Sequence, residues 1–387
     1  MAAVAFVGRR SELKVLEQRY ASSRSEMVPV YGRRRVGKTE LLLRFASGKP
    51  TVLFIASDKL RTPQIADFLR AAAEWLAAPH LAESAPATWE AALRLVIATA
   101  PKQRKFLLVL DEFQWLCQSS PELPSVLQRL WDLEWQRDNS LMLILCGSLI
   151  GFMEREVLGA RSPLHGRRTA DLRLEPFPFR EAAAFHPSWS IEEQARAYFV
   201  CGGVPAYLKQ FEQGRSVAQG IAREFFEIDG FFQREPDFLL REELAEVKQA
   251  ASVLEAVALG RRAQSDIARA VGLTASALAP HLKTLVSLGY LERIFPLSSK
   301  RPSRTSVVYR IADPLLRFWF RFVEPHWATL RRYSPERAFE QTWEWHKLPG
   351  SWQCGRRIFQ PAVVRSGKSF SFARSRSPTC RERSCMT

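Results

Sequence analysis

The sequence predicts an α/β fold in which a parallel sheet covered by helices precedes a helical region and a winged helix-turn-helix. Up to about residue 175, short continuous apolar runs alternate with helical patterns, as expected for parallel strands buried on both faces. From residue 180 to about 258 the strand-like runs disappear and helical patterning dominates. Between residues 250 and 312, short helical patterns lead into two strand-like runs, which indicates a β-hairpin wing.

The elements follow from these patterns in order. In the first region, strands are predicted over 27–31, 51–56, 106–110 and 141–146, and helices over 12–20, 39–45, 62–75, 88–98 and 123–136. In the last region, helices are predicted over 264–270 and 274–288, and strands over 290–295 and 307–311. The predicted domains are a core (1–175), a helical domain (176–245), a winged helix (246–330) and a final segment (331–387).

Two features of the last region leave open questions. Pro280 removes one helical N–H group and is expected to kink the second helix of the helix-turn-helix. The apolar and aromatic run 315–323 is expected to be a buried helix, and a partner-binding face is the alternative.

Composition and charge limit the function classes. A chain of 387 residues with 47% hydrophobic and 25% charged residues excludes disorder throughout and a small disulfide scaffold. The net charge of +16 makes a polyanion a plausible partner. Residues 350–387 hold eight of the basic residues and one acidic residue, without helix or strand periodicity. This segment is interpreted as a disordered end, a product of translation out of frame, or a basic arm for nucleic acid.

The remaining compositional features favour a cytoplasmic setting. No apolar run approaches the ~20 residues that cross a bilayer, and the first residues lack the basic start of a secretory signal, so no membrane association is expected. Cys117, Cys146 and Cys201 are expected to be core residues, since no cysteine pair has zinc-site spacing. The histidines show no ligand spacing either.

A phosphate-binding loop is the strongest signal in the chain. The motif G-x-x-x-x-G-K-T lies between an apolar strand and a helix, as Gly32-Arg33-Arg34-Arg35-Val36-Gly37-Lys38-Thr39 followed by Glu40. In that context backbone N–H groups surround phosphate oxygens at a helix N-terminus, and the two glycines allow a close backbone approach. Lys38 is expected to contact the β- and γ-phosphates of ATP, and the Thr39 hydroxyl to bind Mg²⁺.

Two carboxylates follow the buried strand 106–110. Asp111 and Glu112 stand at its carboxyl end, and Asp111 lies 72 residues after Thr39. A metal next to phosphates needs an oxygen ligand, and hydrolysis needs a base for the attacking water. Asp111 is therefore predicted to hold Mg²⁺, directly or through water, and Glu112 to be the general base.

Further candidates lie at the end of the next strand and beyond it. Ser148 is expected to sense the γ-phosphate or orient the water, unless it simply ends a strand. Arg167, with Arg168 beside it, is a candidate for a guanidinium on the γ-phosphate, in cis or from a neighbouring subunit. An exposed, solvated charge is the alternative for both arginines.

These motifs in this order resemble prokaryotic AAA-type ATPases related to the signal-transduction (STAND) and origin-recognition groups, specifically the archaeal and bacterial ATP-binding proteins with a C-terminal winged helix. The resemblance spans about residues 5–330 and rests on the segments 6–13, 31–39, 110–114, 146–148, 162–168, 202–208, 309–314 and 316–322. It implies an AAA-like core with a helical lid, and adenine contacts from Val7 and Pro205. It also implies possible homo-oligomers. The nuclease-like domain of many relatives is not carried over, because the sequence departs from that pattern after about residue 348.

The helix-turn-helix spacing suggests a double-stranded DNA partner. His281 and Lys283 would lie on the second helix, and Lys300, Arg301 and Arg304 on the wing. That helix is poor in base-reading residues, so a protein-docking or structural role is the alternative. The leading hypothesis is a Mg²⁺-dependent ATPase switch coupled to the winged helix. The rivals are an ATP-retaining adaptor and a DNA-binding regulator with a structural ATP site.

Overall fold

Five parallel strands form the central sheet, in the order β2-β3-β4-β1-β5. The structure, a computed structural model, describes residues 6–211, 216–244, 246–295 and 307–347. The strands are β1 (Glu26–Tyr31), β2 (Thr51–Ile55), β3 (Phe106–Asp111), β4 (Leu141–Gly147) and β5 (Leu172–Arg173). All residues of β1, β3 and β4 are buried, which explains why their sequences do not alternate and are apolar except for Glu26 at the start of β1 and Asp111 at the end of β3.

Helices cover the sheet. They are α1 (Arg10–Tyr20), α2 (Lys38–Ala46), α3 (Arg61–Leu76), α4 (His80–Glu83), α5 (Trp89–Thr99), α6 (Phe113–Ser119), α7 (Leu123–Leu130), α8 (Gln136–Asp138) and α9 (Ile150–Phe152). A π-helical turn, Trp131–Trp135, joins α7 to α8, and a second one, Met153–Val157, follows α9. Because the strands are parallel, the carboxyl ends of β1, β3 and β4 meet at one edge, where α/β sheets bind their ligands.

A helical segment follows the sheet and is called the lid below. It contains α10 (Phe179–Ala182), α11 (Ile191–Cys201), α12 (Pro205–Leu208), α13 (Val217–Phe226) and α14 (Glu235–Glu243), with 3-10 turns at Ala183–Phe185 and Phe231–Gln233. Pro205 begins α12 as its first residue, where a missing N–H group costs no helical hydrogen bond.

The winged helix consists of three helices and an antiparallel hairpin. These are α15 (Val247–Ala258), α16 (Gln264–Val271), α17 (Ala275–Ser287), β6 (Leu291–Ile294) and β7 (Val308–Ile311). The helices α18 (Pro314–Phe318), α19 (Trp327–Leu330) and α20 (Pro335–Lys347) follow, with a π-helical turn at Trp319–Val323 and a 3-10 turn at Glu324–His326. Thr274 caps α17 by accepting a hydrogen bond from the Ala277 N–H group.

The lid and the winged helix share one hydrophobic core. A continuous cluster of buried side chains runs from Ala197 to Val323 and includes Phe225 of α13 and Phe318 of α18, whose rings lie 5.0 Å apart in an edge-on arrangement. Edge-on aromatic pairs of this kind add to the stabilisation from burial. The two predicted domains are therefore packed as one body, called the lid–winged-helix body below.

The structure confirms the α/β class and most predicted elements, with some differences. The two-residue strand β5 and the short helices α4, α6 and α9 were not predicted, since they are too short to show a period. Helix α17 continues through Pro280. The run 315–323 is buried, which confirms the buried-helix interpretation, and Cys117, Cys146 and Cys201 are buried free cysteines.

Some predictions concern residues that the structure does not describe. Residues 350–387 and the wing residues Lys300, Arg301 and Arg304 lie outside the described residues. Within the described part of the chain, no helix is both long and apolar enough to cross a membrane.

Candidate active site

The phosphate-binding loop joins β1 to α2 at the carboxyl edge of the sheet. Gly32 and Gly37 have positive φ angles of 154° and 87°. An added Cβ at Gly32 would lie 2.2 Å from the carbonyl oxygen of Leu174, so the close approach of the chain after β5 requires glycine there. Helix α2 begins at Lys38, directly after Gly37, which points its free N–H groups and its positive dipole end at the loop.

The Lys38 ammonium is buried inside the loop. Its Nζ donates hydrogen bonds to the carbonyl oxygens of Gly32, at 2.9 Å, and Arg33, at 3.1 Å. The side chain is 6% exposed. Because those two acceptors are main-chain groups of the loop itself, the position of Lys38 depends directly on the conformation of the loop.

The two residues predicted to hold Mg²⁺ are in contact. Thr39 Oγ1 donates a hydrogen bond of 2.6 Å to Asp111 Oδ2, and Asp111 is fully buried at the end of β3. The other carboxylate oxygen of Asp111 accepts from the Glu112 N–H group at 2.9 Å. A hydroxyl and a carboxylate oxygen next to a phosphate-binding loop are the hard oxygen donors that Mg²⁺ prefers, so these residues fit the ion.

Glu112 has a constrained backbone and a fixed carboxylate. Its φ of 54° places it in the left-handed region, which non-glycine residues adopt rarely. Its Oε2 atom accepts a hydrogen bond from Ser148 Oγ at 2.7 Å and another from Gln114 Nε2. Gln114 Nε2 also lies 3.1 Å from Ser148 Oγ, so the three side chains form one connected group.

Gln114 was not assigned a role from the sequence. It is 4% exposed on α6, and its Oε1 atom has no hydrogen-bond partner among the described residues. The residues 110–114 belong to a motif segment, but a glutamine two positions after a carboxylate is an ordinary first-turn helix residue. Only the structure brings it against Glu112.

Two adjoining cavities lie over the loop. The larger has a volume of about 410 Å³ and is lined by Arg34, Arg35, Gly37, Lys38, Thr39, Glu40, Glu112, Pro205, Ala206 and Lys209. The smaller has about 10 Å³ of free space and is lined by Phe6, Val7, Arg9, Val36, Gly37, Glu40, Phe177, Phe185, Pro205 and Lys209. The structure therefore brings Val7 and Pro205 together beside the loop, with two aromatic rings that the sequence did not identify.

The lid reaches the loop through a charged pair. Lys209 Nζ donates to both carboxylate oxygens of Glu40, at 3.1 and 2.9 Å, and these two residues line both cavities. The Ala206 N–H group donates to the Arg35 carbonyl oxygen at 3.4 Å. On the other side, Arg9 donates to the carbonyl oxygens of Val36 and Glu175 at 2.9 and 2.8 Å, which fixes the segment that carries Val7.

Other predicted site residues lie apart from this group. Arg167 is bound bidentately to Asp132 at 2.8 and 2.7 Å and lines neither cavity. Hydrogen bonds to that carboxylate are the main cause of a raised pKa of Arg167. On α17, Lys283 is exposed, and His281 Nε2 lies 3.5 Å from the Glu246 carboxylate. The structure thus does not bring Arg167 to the cavity within one chain.

Comparisons with known proteins agree with this geometry. Residues 6–211 match the family described as an ATPase domain predominantly from Archaea, and residues 247–294 match the IclR helix-turn-helix domain. An uncharacterized protein of Methanocaldococcus jannaschii is 30% identical over 325 residues, which are 84% of this chain and 70% of that protein.

Solved structures are similar at the level of the fold. The Walker-type ATPase PABY2304 of Pyrococcus abyssi has a TM-score of 0.60 at 19% identity, over 82% of this chain and 96% of that chain. The Aeropyrum pernix ORC2 protein, solved in ADPNP–ADP complexes, has a TM-score of 0.52 at 16% identity, over 87% and 95%.

Proposed function

Because this chain belongs to the family of ATPase domains found predominantly in Archaea, we propose that it is a Mg²⁺-dependent, AAA-type ATPase of the STAND and origin-recognition-related group. In this proposal the nucleotide state controls the winged helix. The observation that carries it is the convergence of Lys38, Thr39 and Glu112 on one cavity of about 410 Å³, with Asp111 bonded to Thr39. Phosphate binding, metal binding and a candidate base are therefore adjacent.

The loop is suited to a triphosphate. Main-chain N–H groups from Arg33 to Thr39 can donate to phosphate oxygens, and Lys38 can exchange its two carbonyl acceptors for the β- and γ-phosphates. Thr39 and Asp111 would hold Mg²⁺, which supplies positive charge to the phosphate oxygens when bound. Glu40 lies on the first turn of α2, directly after the residues that would contact the phosphates, and its carboxylate pairs with Lys209.

Glu112 is the proposed general base. A water between its carboxylate and the γ-phosphorus would lose a proton to Glu112 as its oxygen bonds to phosphorus and the bond to the ADP oxygen breaks. Ser148 and Gln114 orient the carboxylate through their hydrogen bonds to Oε2. The other carboxylate oxygen, Oε1, remains the one suited to accept the proton.

Adenine would bind between Val7 and Pro205. The small cavity there has about 10 Å³ of free space, roughly what one water requires, so the lining residues of the core and of the lid would have to move apart before a base enters. Nucleotide exchange is then coupled to lid movement. Since the lid and the winged helix share one core, the winged helix moves with the lid.

The hydrogen bonds of Glu112 and the contact between the lid and α2 favour a second candidate, an adaptor that retains ATP and hydrolyses it slowly. Two donors occupy one oxygen of Glu112 and hold it against Ser148 and Gln114, so only the other carboxylate oxygen is left for a water. The lid contact between Lys209 and Glu40 would slow the release of nucleotide. A fast steady-state turnover favours the enzyme, and tight retention with slow turnover favours the adaptor.

Double-stranded DNA is the proposed macromolecular partner of the winged helix. The helix-turn-helix match and the exposed Lys283 on α17 support this proposal. The recognition helix carries few base-reading side chains, so contacts to phosphate would dominate and affinity would fall with salt.

A role for Arg167 would need a neighbouring subunit, and we propose a homo-oligomer as the state in which it reaches a γ-phosphate in trans. A cytoplasmic location is part of the same proposal.

The test is steady-state ATP turnover of the full chain, with and without Mg²⁺ and duplex DNA, beside mass photometry. Turnover that disappears with a chelator and in Lys38→Ala supports the proposal. Lys59→Ala is the matched control, because Lys59 is an exposed lysine paired with Asp67 away from the loop. Turnover that persists in Lys38→Ala or without divalent metal contradicts the proposal.

A further inference from the structure

Three successive arginines of the phosphate-binding loop each form an ion pair with an acid more than 190 positions later in the chain. All three acids belong to the lid–winged-helix body. The pairs are Arg33 with Asp313, Arg34 with Glu242, and Arg35 with Glu235 at 2.8 Å. The loop that surrounds the phosphates on one side is thus held by the lid–winged-helix body on the other.

The three pairs differ in burial. The side chains of Arg33 and Asp313 are 7% and 1% exposed, whereas those of Arg34 and Glu242 are 32% and 42% exposed. An exposed pair contributes little, because water and salt screen it. A buried cation that loses its counter-ion is strongly unfavourable, so the Arg33 pair constrains the loop far more than the Arg34 pair.

Asp313 is the acid on which the Arg33 guanidinium depends. Arg33 Nη1 donates to Asp313 Oδ2, while Arg33 Nε and Nη2 have no hydrogen-bond partner among the described residues. The guanidinium carbon lies 5.6 Å from the centre of the Tyr290 ring. The second oxygen of Asp313 accepts from the Leu316 N–H group at 2.7 Å and caps α18. One carboxylate therefore holds the loop arginine and begins a helix of the winged-helix region.

The main chain of Arg33 carries this constraint to Lys38. Its carbonyl oxygen accepts a hydrogen bond from Lys38 Nζ at 3.1 Å. The residue whose side chain is fixed by Asp313 therefore also fixes the ammonium group that is proposed to bind phosphate. A triphosphate that draws the Lys38 ammonium group towards its own oxygens must either shift the main chain of Arg33 or break this hydrogen bond.

The segment of Asp313 also contacts the lid. Pro314 packs on Gly202, where an added Cβ would lie 3.0 Å from Pro314 Cγ. The next residue, Gly203, accepts a hydrogen bond from the Phe177 N–H group at 2.7 Å, and Phe177 lines the proposed adenine cavity. The two-residue segment Asp313–Pro314 is thus joined to both the phosphate and the base side of the site.

We propose that Asp313, acting through Arg33, is a positioning residue for the phosphate-binding loop, and that this buried pair couples nucleotide binding to the lid–winged-helix body. The inference rests on the proposed nucleotide site and deepens it. Such coupling is reciprocal. If bound nucleotide changes the stability of the Arg33–Asp313 contact by a given factor, then formation of that contact changes nucleotide affinity by the same factor. The pair is therefore a physical link between the nucleotide and the winged helix.

Three variants test the link. Asp313→Asn keeps an oxygen to cap α18 but removes the charge, Arg33→Gln removes the cation, and the double variant restores neutrality with two amides that can hydrogen-bond. Calorimetric titration with ATP and Mg²⁺ should give Asp313→Asn about tenfold weaker binding, within the usual range of coupling between sites. The loss of ATP-binding free energy in the double variant should be smaller than the sum of the losses in the two single variants, as expected for interacting partners. Glu242→Gln, the matched control on the exposed neighbouring pair, should change affinity by less than about twofold.

A second readout separates coupling from a purely structural role. Hydrogen exchange at residues 308–318 should change on ATP binding in the wild type and in Glu242→Gln, and should not change in the double variant, even where that variant still binds ATP. This measurement decides the question if Asp313→Asn alone does not fold. An ATP-dependent change in the double variant equal to that of the wild type overturns the inference.

The outcome also distinguishes this inference from the proposed function. If the wild type binds no ATP, the nucleotide site itself fails. If the wild type binds ATP, Lys38→Ala does not, and Asp313→Asn binds as tightly as the wild type, then only the coupling inference fails.

Discussion

The sheet region and the lid–winged-helix body contribute to the site in different ways. The sheet supplies groups that lie next to each other because three parallel strands end together, at Tyr31, Asp111 and Gly147. The lid–winged-helix body supplies separate single side chains, such as Lys209 and Asp313, that arrive from distant parts of the chain. Under the proposed function, the sheet would therefore carry the chemistry, and the tertiary contacts around it would carry the response to nucleotide.

The largest expected effect tests the sheet region alone. Glu112→Gln should lower ATP turnover by about 10²- to 10⁴-fold, the usual contribution of a general base, since the amide cannot accept the proton of water. ATP affinity and thermal stability should stay close to the wild type. Turnover is measured by phosphate release under saturating ATP.

The control for that variant is Glu122→Gln, an exposed acid paired with Arg61. Its turnover should match the wild type. Equal turnover in Glu112→Gln and the wild type would mean that the base is another group.

The second effect tests whether the lid and the winged helix are one body. Phe318→Ala should lower the free energy of unfolding by about 3–5 kcal/mol, because it leaves a cavity in the shared core opposite Phe225. Chemical denaturation is the measurement, with Phe238→Ala as a control whose side chain is 51% exposed. If the variant loses α15–α17 while the lid stays folded, the two parts are separate domains.

A third, smaller effect concerns the group that orients Glu112. Gln114→Ala removes one of the two donors to Oε2 and should lower kcat by about tenfold with little change in KM, as expected for an interaction that matters at the chemical step. Gln136→Ala, on an exposed helical position, is the control. An equal change in KM and none in kcat would assign Gln114 to nucleotide binding.

The smallest effect concerns the winged helix. Lys283→Ala should weaken binding to duplex DNA by a similar factor for different sequences and lower the salt slope by about one, as expected for a single phosphate contact. The measurement is a fluorescence titration over a series of salt concentrations, with Lys59→Ala as the control. An unchanged salt slope would place the DNA contacts on another surface or remove DNA as a partner.

The residues that could be predicted from the sequence are those whose signal is local. The loop from Gly32 to Thr39 follows a fixed spacing between a strand and a helix, and Asp111 and Glu112 follow a continuously apolar strand. Strand β1 to helix α2 and the helix-turn-helix were predicted for the same reason, since periodicity and cap residues are read within a few turns. The structure also adds detail that periodicity could not give, such as the continuation of α17 past Pro280 to Ser287.

The rest of the site depends on tertiary packing. Asp313 reaches Arg33 across 280 residues, and neither sequence neighbourhood predicts its partner. Gln114 lies on helix α6 and Lys209 is the residue that follows α12, so nothing local predicts their contacts with Glu112 and Glu40. Arg167 shows the same limit, because its pairing with Asp132 within one chain could not be predicted from the sequence around either residue.

The most direct test of the central claim is calorimetric titration of the full chain with ATP in excess Mg²⁺, repeated with Lys38→Ala. The loop geometry predicts saturable binding of one ATP per chain, lost in Lys38→Ala and weakened when Mg²⁺ is removed. Equal heats of binding for the wild type and Lys38→Ala, or none for either, would contradict the assignment of this loop as the nucleotide site.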